Sequence, residues 1–142
     1  MTFIVTDNGF REDDMAAEAA GAVSLDALVA SDNDESVALA LGNDADIEAV
    51  RPFLDRLHLI VIPFPSFADG RGFTLAKHLR GLGYTGRLRA KGKVISDQYA
   101  MARRSGFDEV EIPDDIAARQ PAGEWIFRAD WRDHDYRSRL RA

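Results

Sequence analysis

Two polar loops of this sequence carry the side chains best suited to chemistry. Arginine beside a helix N-terminus can hold sulfate, phosphate or a carboxylate, and a nearby aspartate can act as a general base. The candidate ligand-binding residues in the two loops are Asp69, Arg71, Arg89, Lys91, Asp97 and Gln98. We expect the two arginines to hold a small oxyanion and one of the two aspartates to serve as the base.

The signal in these loops also has a purely structural interpretation. Neither loop contains the phosphate-binding pattern G-x-G-x-x-G or G-x-x-x-x-G-K-[ST]. Asp69 could pair with Arg89, or Arg71 with Asp97, and such pairs would only fix the loops. The chain has no cysteine, which excludes a thiol nucleophile and cysteine-ligated metals. We expect neither a metal site nor a cofactor, and the sequence does not identify catalytic residues.

Alternating apolar runs and amphipathic segments position these loops. The apolar runs with the length and composition of buried strands are residues 37–41, 57–62, 86–90 and 109–112. Apolar residues at helical spacing lie between them, with Gly83 and Gly106 as helix-ending positions. This order predicts an α/β protein with a small, mostly parallel sheet of about four strands flanked by helices. A half-barrel of βα units is the alternative, because both architectures repeat the same order. In either one, both loops emerge at the carboxyl edge of the sheet, where ligands usually bind.

The chain fits a single domain with two extensions. Its 142 residues agree with the ~100–200 residues of a common domain. We assign residues 1–35 to an N-terminal extension, 36–120 to the α/β core and 121–142 to a C-terminal extension. The N-terminal extension is expected to be irregular apart from a small hairpin at Asn8-Gly9. Acidic and apolar residues alternate in 109–112, which predicts an edge strand with one side in water.

Charge is distributed unevenly along the chain. Residues 1–50 contain 12 acidic residues and one basic residue, whereas residues 51–142 contain 12 acidic and 17 basic residues. The acidic N-terminal part argues against a general nucleic-acid binder, which needs clustered positive charge. The sequence shows no secretory signal and no apolar run near the ~20 residues that a membrane span needs. We therefore expect a soluble, cytoplasmic protein that binds neither nucleic acid nor membrane.

The two loops and their flanking elements resemble a known family. The segments that carry the resemblance are Phe64-Pro65, Asp-Gly-Arg-Gly-Phe at 69–73, Leu-Arg-Ala at 88–90, Asp97-Gln98 and Gly-Phe-Asp at 106–108. This pattern is similar to the core of the bacterial domain of unknown function 934 family. The resemblance is close over residues 59–112 and looser over the strand and helix before them.

The resemblance implies a link to sulfur assimilation, because members of that family are described as oxidoreductases associated with sulfite reduction. Many members carry cysteine before the Gly-Phe-Asp segment, where this chain has Ser105, so a thiol mechanism is not expected. We expect a non-catalytic accessory protein that docks on sulfite reductase or another sulfur-assimilation protein. One alternative is a small enzyme that acts on an oxyanion or a phosphorylated metabolite at the carboxyl-end loops. Another is a structural member of a larger complex, and the oligomeric state stays open.

Overall fold

The sheet is larger and more mixed than the sequence predicts. The computed structural model describes residues 2–127 and residue 129. The strands of this described part are β1 (Thr2–Thr6), β2 (Gly9–Arg11), β3 (Val37–Ala40), β4 (Leu57–Phe64), β5 (Arg87–Gly92) and β6 (Glu109–Pro113). They form one six-stranded sheet in the order β2-β1-β6-β5-β4-β3. The prediction of about four, mostly parallel strands is therefore wrong, since the N-terminal segment adds two antiparallel strands.

The parallel part of the sheet contains the four strands expected from the sequence. Strands β3, β4, β5 and β6 are parallel neighbours in consecutive order. Strand β1 pairs antiparallel with both β2 and β6, so the predicted N-terminal hairpin is present but belongs to the sheet. As a result β6 lies between β1 and β5. The expectation that β6 is an edge strand with a wet side is wrong, because Glu109 and Glu111 on that side are buried.

Short helices connect the strands. Within the described residues they are α1 (Ala16–Ala20), α2 (Leu25–Ala30), α3 (Ile47–Val50), α4 (Arg71–Gly81), α5 (Tyr99–Ser105), α6 (Asp114–Arg119) and α7 (Ala122–Phe127). Two 3-10 segments, Arg51–Arg56 and Ser96–Gln98, add to them. Gly83 and Gly106 have φ angles of 97° and 115°, which confirms them as helix-ending positions where a left-handed backbone favours glycine.

The two faces of the sheet differ in chemistry. The main core lies on the face where α2 to α7 pack, and its largest members include Leu39, Ile60, Leu79, Phe107 and Trp125. We call this the helical face. On the opposite, second face, a smaller cluster formed by Ala38, Leu59 and Val61 packs against residues of the α1 region. Side chains alternate along strands, so the charged residues of β5 and β6 also point to this second face.

The first part of the predicted C-terminal extension packs as a helix. Trp125 of α7 is fully buried, its indole N–H donates to the carbonyl of Gln120 at 2.8 Å, and its ring meets Tyr99 edge-on at 6.0 Å between centroids. The arginine-rich tail of that extension lies outside the described residues.

Candidate functional site at a buried arginine and the cavity beside it

Arg89 lies at the centre of an ion network on the second face. Its side chain is 0% exposed. Its Nε donates to Glu109 at 2.6 Å and its Nη1 to Glu111 at 3.0 Å. Asp13, in the loop between β2 and α1, accepts from both terminal nitrogens at 2.8 and 2.9 Å. Three carboxylates therefore surround one guanidinium that has no access to solvent.

Strand register explains why these charges meet. Arg89 stands directly opposite Glu109, and Lys91 stands opposite Glu111 in the parallel pair β5–β6. Opposite charges at facing positions stabilise neighbouring strands. Burial is tolerable only because each charge has a partner, since an unpaired buried charge is very costly. The β5–β6 pairing and the ion network therefore depend on each other.

The network includes further charged residues around Arg89, and its basic and acidic groups are equal in number. Arg11 and Arg87 both contact Glu109 and also reach Asp14. Four basic groups and four acidic groups take part, namely Arg11, Arg87, Arg89, Lys91, Asp13, Asp14, Glu109 and Glu111. The hydrogen bond from Arg89 holds the pKa of Asp13 below its ordinary value despite desolvation, which acts in the opposite direction. Burial by itself would lower the pKa of Arg89, but the adjacent carboxylates outweigh it and raise that pKa.

A cavity adjoins this network under α1. Its volume is about 330 Å³, and its lining residues are Ala19, Ala22, Ala40, Leu41, Gly42, Val61, Pro63, Lys91 and Glu111. Most of the wall is apolar, and the charged groups come from β5 and β6. Glu111 Oε2 lies 3.6 Å from Lys91 Nζ, which is longer than a hydrogen bond. The cavity thus joins an apolar chamber to one cation and one carboxylate.

The first predicted loop forms its own ion pair. Asp69 accepts hydrogen bonds from the Nε and Nη2 of Arg71 at 3.1 and 2.9 Å, and from Asn43 at 2.8 Å. The side-chain and backbone hydrogen bonds of Arg71 hold the pKa of Asp69 at about 2. Arg71 also lines a second cavity of about 350 Å³ together with Asn43, Asp46 and His78. Arg71 is therefore an exposed cation, and Asp69, which is ionised at neutral pH, fixes its position.

The second predicted loop is braced by an amide. Gln98 donates to the carbonyl of Phe67 at 2.7 Å and accepts from the backbone N–H of Ile95 at 3.1 Å. Through this contact the loop after β4 is tied to the start of α5. Asp97 lines a third cavity, of about 500 Å³, with Gln120 and Glu124. Asp97 and Arg71 therefore line different cavities.

The six residues predicted from the sequence consequently occupy three separate environments. Asp69 and Arg71 contact each other, Arg89 and Lys91 belong to the network on the second face, and Asp97 and Gln98 lie at the start of α5. The structure contains neither the Asp69–Arg89 pair nor the Arg71–Asp97 pair that the structural interpretation proposes. The pairing is within the first loop and between Arg89 and acids outside both loops.

Sequence reasoning missed the acidic half of the network. The sequence places Asp13 in an irregular extension, and it predicts that Glu109 and Glu111 lie on the wet side of an edge strand. A usable signal was present, because Arg-Leu-Arg-Ala-Lys in β5 and Glu-Val-Glu in β6 both alternate charge with apolar residues. Two charged sides of opposite sign on neighbouring parallel strands are complementary and predict pairing across those strands.

One glycine-rich segment has the composition of a nucleotide-binding turn but the wrong position. Residues 81–86 read G-L-G-Y-T-G, which matches G-x-G-x-x-G. They follow α4 and precede β5, whereas a dinucleotide-binding turn follows a strand and opens a helix. Here Arg80 donates to the carbonyls of Tyr84 and Gly86 at 3.0 and 2.9 Å. The segment is therefore a helix-to-strand connection that an arginine holds in place.

No group of three or more histidine, aspartate or glutamate side chains in the described part of the chain is arranged to hold a metal ion. No helix within residues 2–127 has the length and apolar character required to cross a bilayer.

Fold and site together define a mixed α/β protein whose parallel strands run consecutively and whose second face carries a buried, charge-balanced ion network. The model of the family described as "Bacterial protein of unknown function (DUF934)" matches residues 38–128, and the chain belongs to that family. That description names no activity. No curated protein and no solved structure gave a match. The matched segment begins at β3, so Asp13 and the roof of the cavity at α1 lie outside it.

Proposed function

We propose that this protein is an accessory protein of sulfur assimilation that docks on a protein partner through the carboxyl edge of its sheet. Sulfite reductase or its electron donor is the partner that the family resemblance suggests, and the sulfur link rests on that resemblance alone. The docking role rests on the surface of the carboxyl edge. Docking is also favoured over anion binding at Arg89, because carboxylates enclose Arg89 and leave it no exposed surface.

The observation that carries the proposal is a pair of exposed apolar side chains on a braced rim. Phe67 is 43% exposed and Met101 is 53% exposed. Gln98 holds the backbone of Phe67, and Met101 follows Gln98 by about one helical turn on α5. Aromatic residues and methionine are enriched at the centres of protein interfaces, where a few of them carry most of the binding energy. Because the rim is already ordered, a partner would lose little conformational entropy on binding it.

Polar residues adjoin these two apolar residues along the chain, as the rim of an interface requires. Arg71 and Asp69 follow Phe67 along the first loop, and Arg71 remains 61% exposed while its carboxylate partner fixes it. Asp97, beside Gln98, is also at the surface. A fixed arginine at an interface rim would contribute to orientation and to the association rate more than to affinity.

A direct binding measurement tests this proposal. Purified sulfite reductase and its electron donor are each titrated with the full chain by calorimetry or biolayer interferometry. Phe67→Ala and Met101→Ala should each weaken binding about fivefold to thirtyfold, as expected for residues at an interface centre. Val29→Ala is the matched control, because Val29 is also an exposed apolar residue, at 54%, but lies on α2. Absence of binding at micromolar concentration, together with normal growth of a deletion strain on sulfate, would reject the proposal. Equal binding by all three variants would reject this surface.

A second candidate is a small enzyme that binds an oxyanion or a phosphorylated metabolite at the carboxyl-end loops. The observation in its favour is Arg71, an exposed guanidinium at a cavity of about 350 Å³. Asp69 would be a poor general base there, because a pKa of about 2 is far below the working pH. Its role would be to position Arg71.

Thermal unfolding in the presence of sulfate, sulfite or phosphate tests this second candidate. Specific binding should raise Tm progressively with anion concentration, and Arg71→Ala should remove the rise. Arg51→Ala is the control, since Arg51 is an equally exposed arginine that pairs with Glu48 away from the loops. A Tm that does not respond, or that responds equally in both variants, rejects this candidate.

A further inference from the structure

We propose that the cavity between α1 and the sheet binds a small zwitterion with an apolar body, of the α-amino-acid class. This site lies on the second face and does not depend on the docking surface of the carboxyl edge. Its argument has three parts: an apolar chamber of suitable size, two opposite charges at one end, and a surrounding network that carries no net charge.

The chamber exists because the side chains around it are small. Ala40 ends β3 and Gly42 lies two residues beyond it, and Ala19 and Ala22 come from α1 and the residues after it. Protein interiors are close-packed, and voids larger than a water molecule are few. A volume of about 330 Å³ is at the small end of the range of roughly 300–1,000 Å³ for small-molecule sites. The space therefore suits a compact apolar group.

The charged end offers one donor and one acceptor. Glu111 uses Oε1 for Arg89 at 3.0 Å. Among the described residues its Oε2 has Lys91 as its ion-pair partner, at 3.6 Å. The side chain of Lys91 is 57% exposed, so its Nζ can turn toward a ligand. An ammonium group between them would donate to Glu111 Oε2, and an adjacent carboxylate would accept from Lys91 Nζ.

The balance of charge selects a zwitterion over a simple ion. The network contains four basic and four acidic groups, so it supplies no surplus of either sign. A free oxyanion would leave Glu111 facing a like charge, and a simple amine would compete with Lys91 for the same oxygen. A molecule with both charges satisfies both side chains and leaves the sum unchanged, while its apolar body displaces water from the alanine-lined wall.

Titration of the full chain with L-leucine, in a buffer without amines, tests the proposal. Calorimetry and thermal unfolding should both report binding, with Tm rising as the concentration rises. N-acetyl-L-leucine lacks the ammonium, L-leucinamide lacks the carboxylate and glycine lacks the apolar body. Each should bind at least about tenfold more weakly, because each loses one charge-assisted hydrogen bond or the apolar contact.

Two variants locate the binding in this cavity. Lys91→Met removes the cation and keeps the length of the side chain, and Ala40→Leu fills the chamber from an exposed position that is not part of the core. Both should reduce affinity at least about tenfold. Lys93→Met, an exposed lysine two residues along that does not line the cavity, should bind like the wild type. Circular dichroism and Tm without ligand verify that each variant folds.

Three results would overturn the proposal. If L-leucine, L-valine, L-methionine and L-phenylalanine all leave Tm and heat unchanged at millimolar concentration, the cavity is not a site for α-amino acids. If N-acetyl-L-leucine binds as tightly as L-leucine, the site selects an anion. If both Lys91→Met and Ala40→Leu bind like the wild type, the ligand binds elsewhere. None of these results affects the test of Phe67 and Met101.

Discussion

Replacing Arg89 with methionine tests whether the ion network holds the second face of the sheet together. Methionine is long and apolar but carries no charge, so Asp13, Glu109 and Glu111 would lose four hydrogen bonds of 2.6 to 3.0 Å. Removing one partner of a buried ion pair costs about 3–5 kcal/mol, because the remaining charges stay out of water without compensation. For a chain of this length that loss corresponds to a fall in Tm of roughly 10–15 °C.

Urea unfolding at pH 7, followed by circular dichroism, measures the loss directly. Arg51→Met is the matched control, since it also removes an arginine hydrogen-bonded to a carboxylate, here Glu48, but at an exposed site. An exposed pair contributes little to stability, so we expect no measurable change. A second variant, Arg89→Met with Asp13→Asn, should recover part of the loss, because the anion that pairs with Arg89 at 2.8 Å is removed together with the cation.

The pH dependence gives an independent check on the mechanism. Because Arg89 lowers the pKa of Asp13 in the folded protein, this pair adds stability above the ordinary carboxyl pKa of about 4. That stability is lost as the pH falls through the lowered value. The difference between wild type and Arg89→Met should therefore be widest at neutral pH and should narrow below about pH 4. A loss under about 1 kcal/mol at pH 7, or a difference that stays constant into acid, would refute the assignment of a stabilising role to the network.

Two further predictions concern a glycine and a buried phenol. Gly92 has a φ of 117°, and a Cβ added there would lie 2.8 Å from the carbonyl oxygen of Phe64. Gly92→Ala should therefore lower the free energy of unfolding by about 1–3 kcal/mol. Gly81→Ala, where nothing lies within 4 Å, should leave it unchanged or raise it by up to ~1 kcal/mol; equal effects in urea unfolding would contradict this. Burial, followed by a neighbouring carboxylate, raises the pKa of Tyr99. The contribution of Tyr99 to stability should thus be constant below the ordinary tyrosine pKa of about 10 and fall above it. An absorbance titration of folded wild type and Tyr99→Phe should count the same number of ionising tyrosines below about pH 11, and one fewer in the variant would contradict the prediction.

The parallel part of the fold could be predicted because its signals are local. The apolar runs of β3 and β4 and the helical spacing in α4 are patterns within a few residues. Gly83 and Gly106 can be predicted to end helices from their residue type alone, because only glycine adopts the left-handed backbone at no steric cost. These predictions needed no knowledge of which strand is adjacent to which.

The place of β1 and β6 could not be predicted for the opposite reason. The pairing of β1 with β6 joins segments about a hundred residues apart, and nothing local in β1 indicates its partner. The alternation Glu-Val-Glu-Ile in β6 fits a wet side and a buried ion-pair side equally well. The neighbouring strand decides between them, and that strand places Arg89 opposite Glu109.

The predicted site residues lie in separate places because the carboxyl-edge rule does not consider the direction in which a side chain leaves its strand. The carboxyl-edge rule applies to residues that follow the end of a strand, which is true of Asp69 and Arg71. Arg89 and Lys91 still belong to β5, which continues to Gly92. Their side chains therefore leave the sheet perpendicular to it and point to the second face. The residue at which a strand ends therefore decides whether a nearby cation lies in the loops at the carboxyl edge or on the second face of the sheet.

Asp13 makes the ion network and the cavity one structural unit. Its carboxylate accepts from Arg89, and its Oδ1 also accepts from the backbone N–H of Met15 at 2.9 Å, just before α1 begins at Ala16. The helix that covers the cavity is therefore held at its start by the same aspartate that compensates the buried arginine. Although Arg89 does not line the cavity, we expect the loss of its charge to remove the ion pair that positions Asp13, and with it one restraint on the start of α1. The shape of the apolar chamber should therefore depend on the balance of charge in the adjoining network.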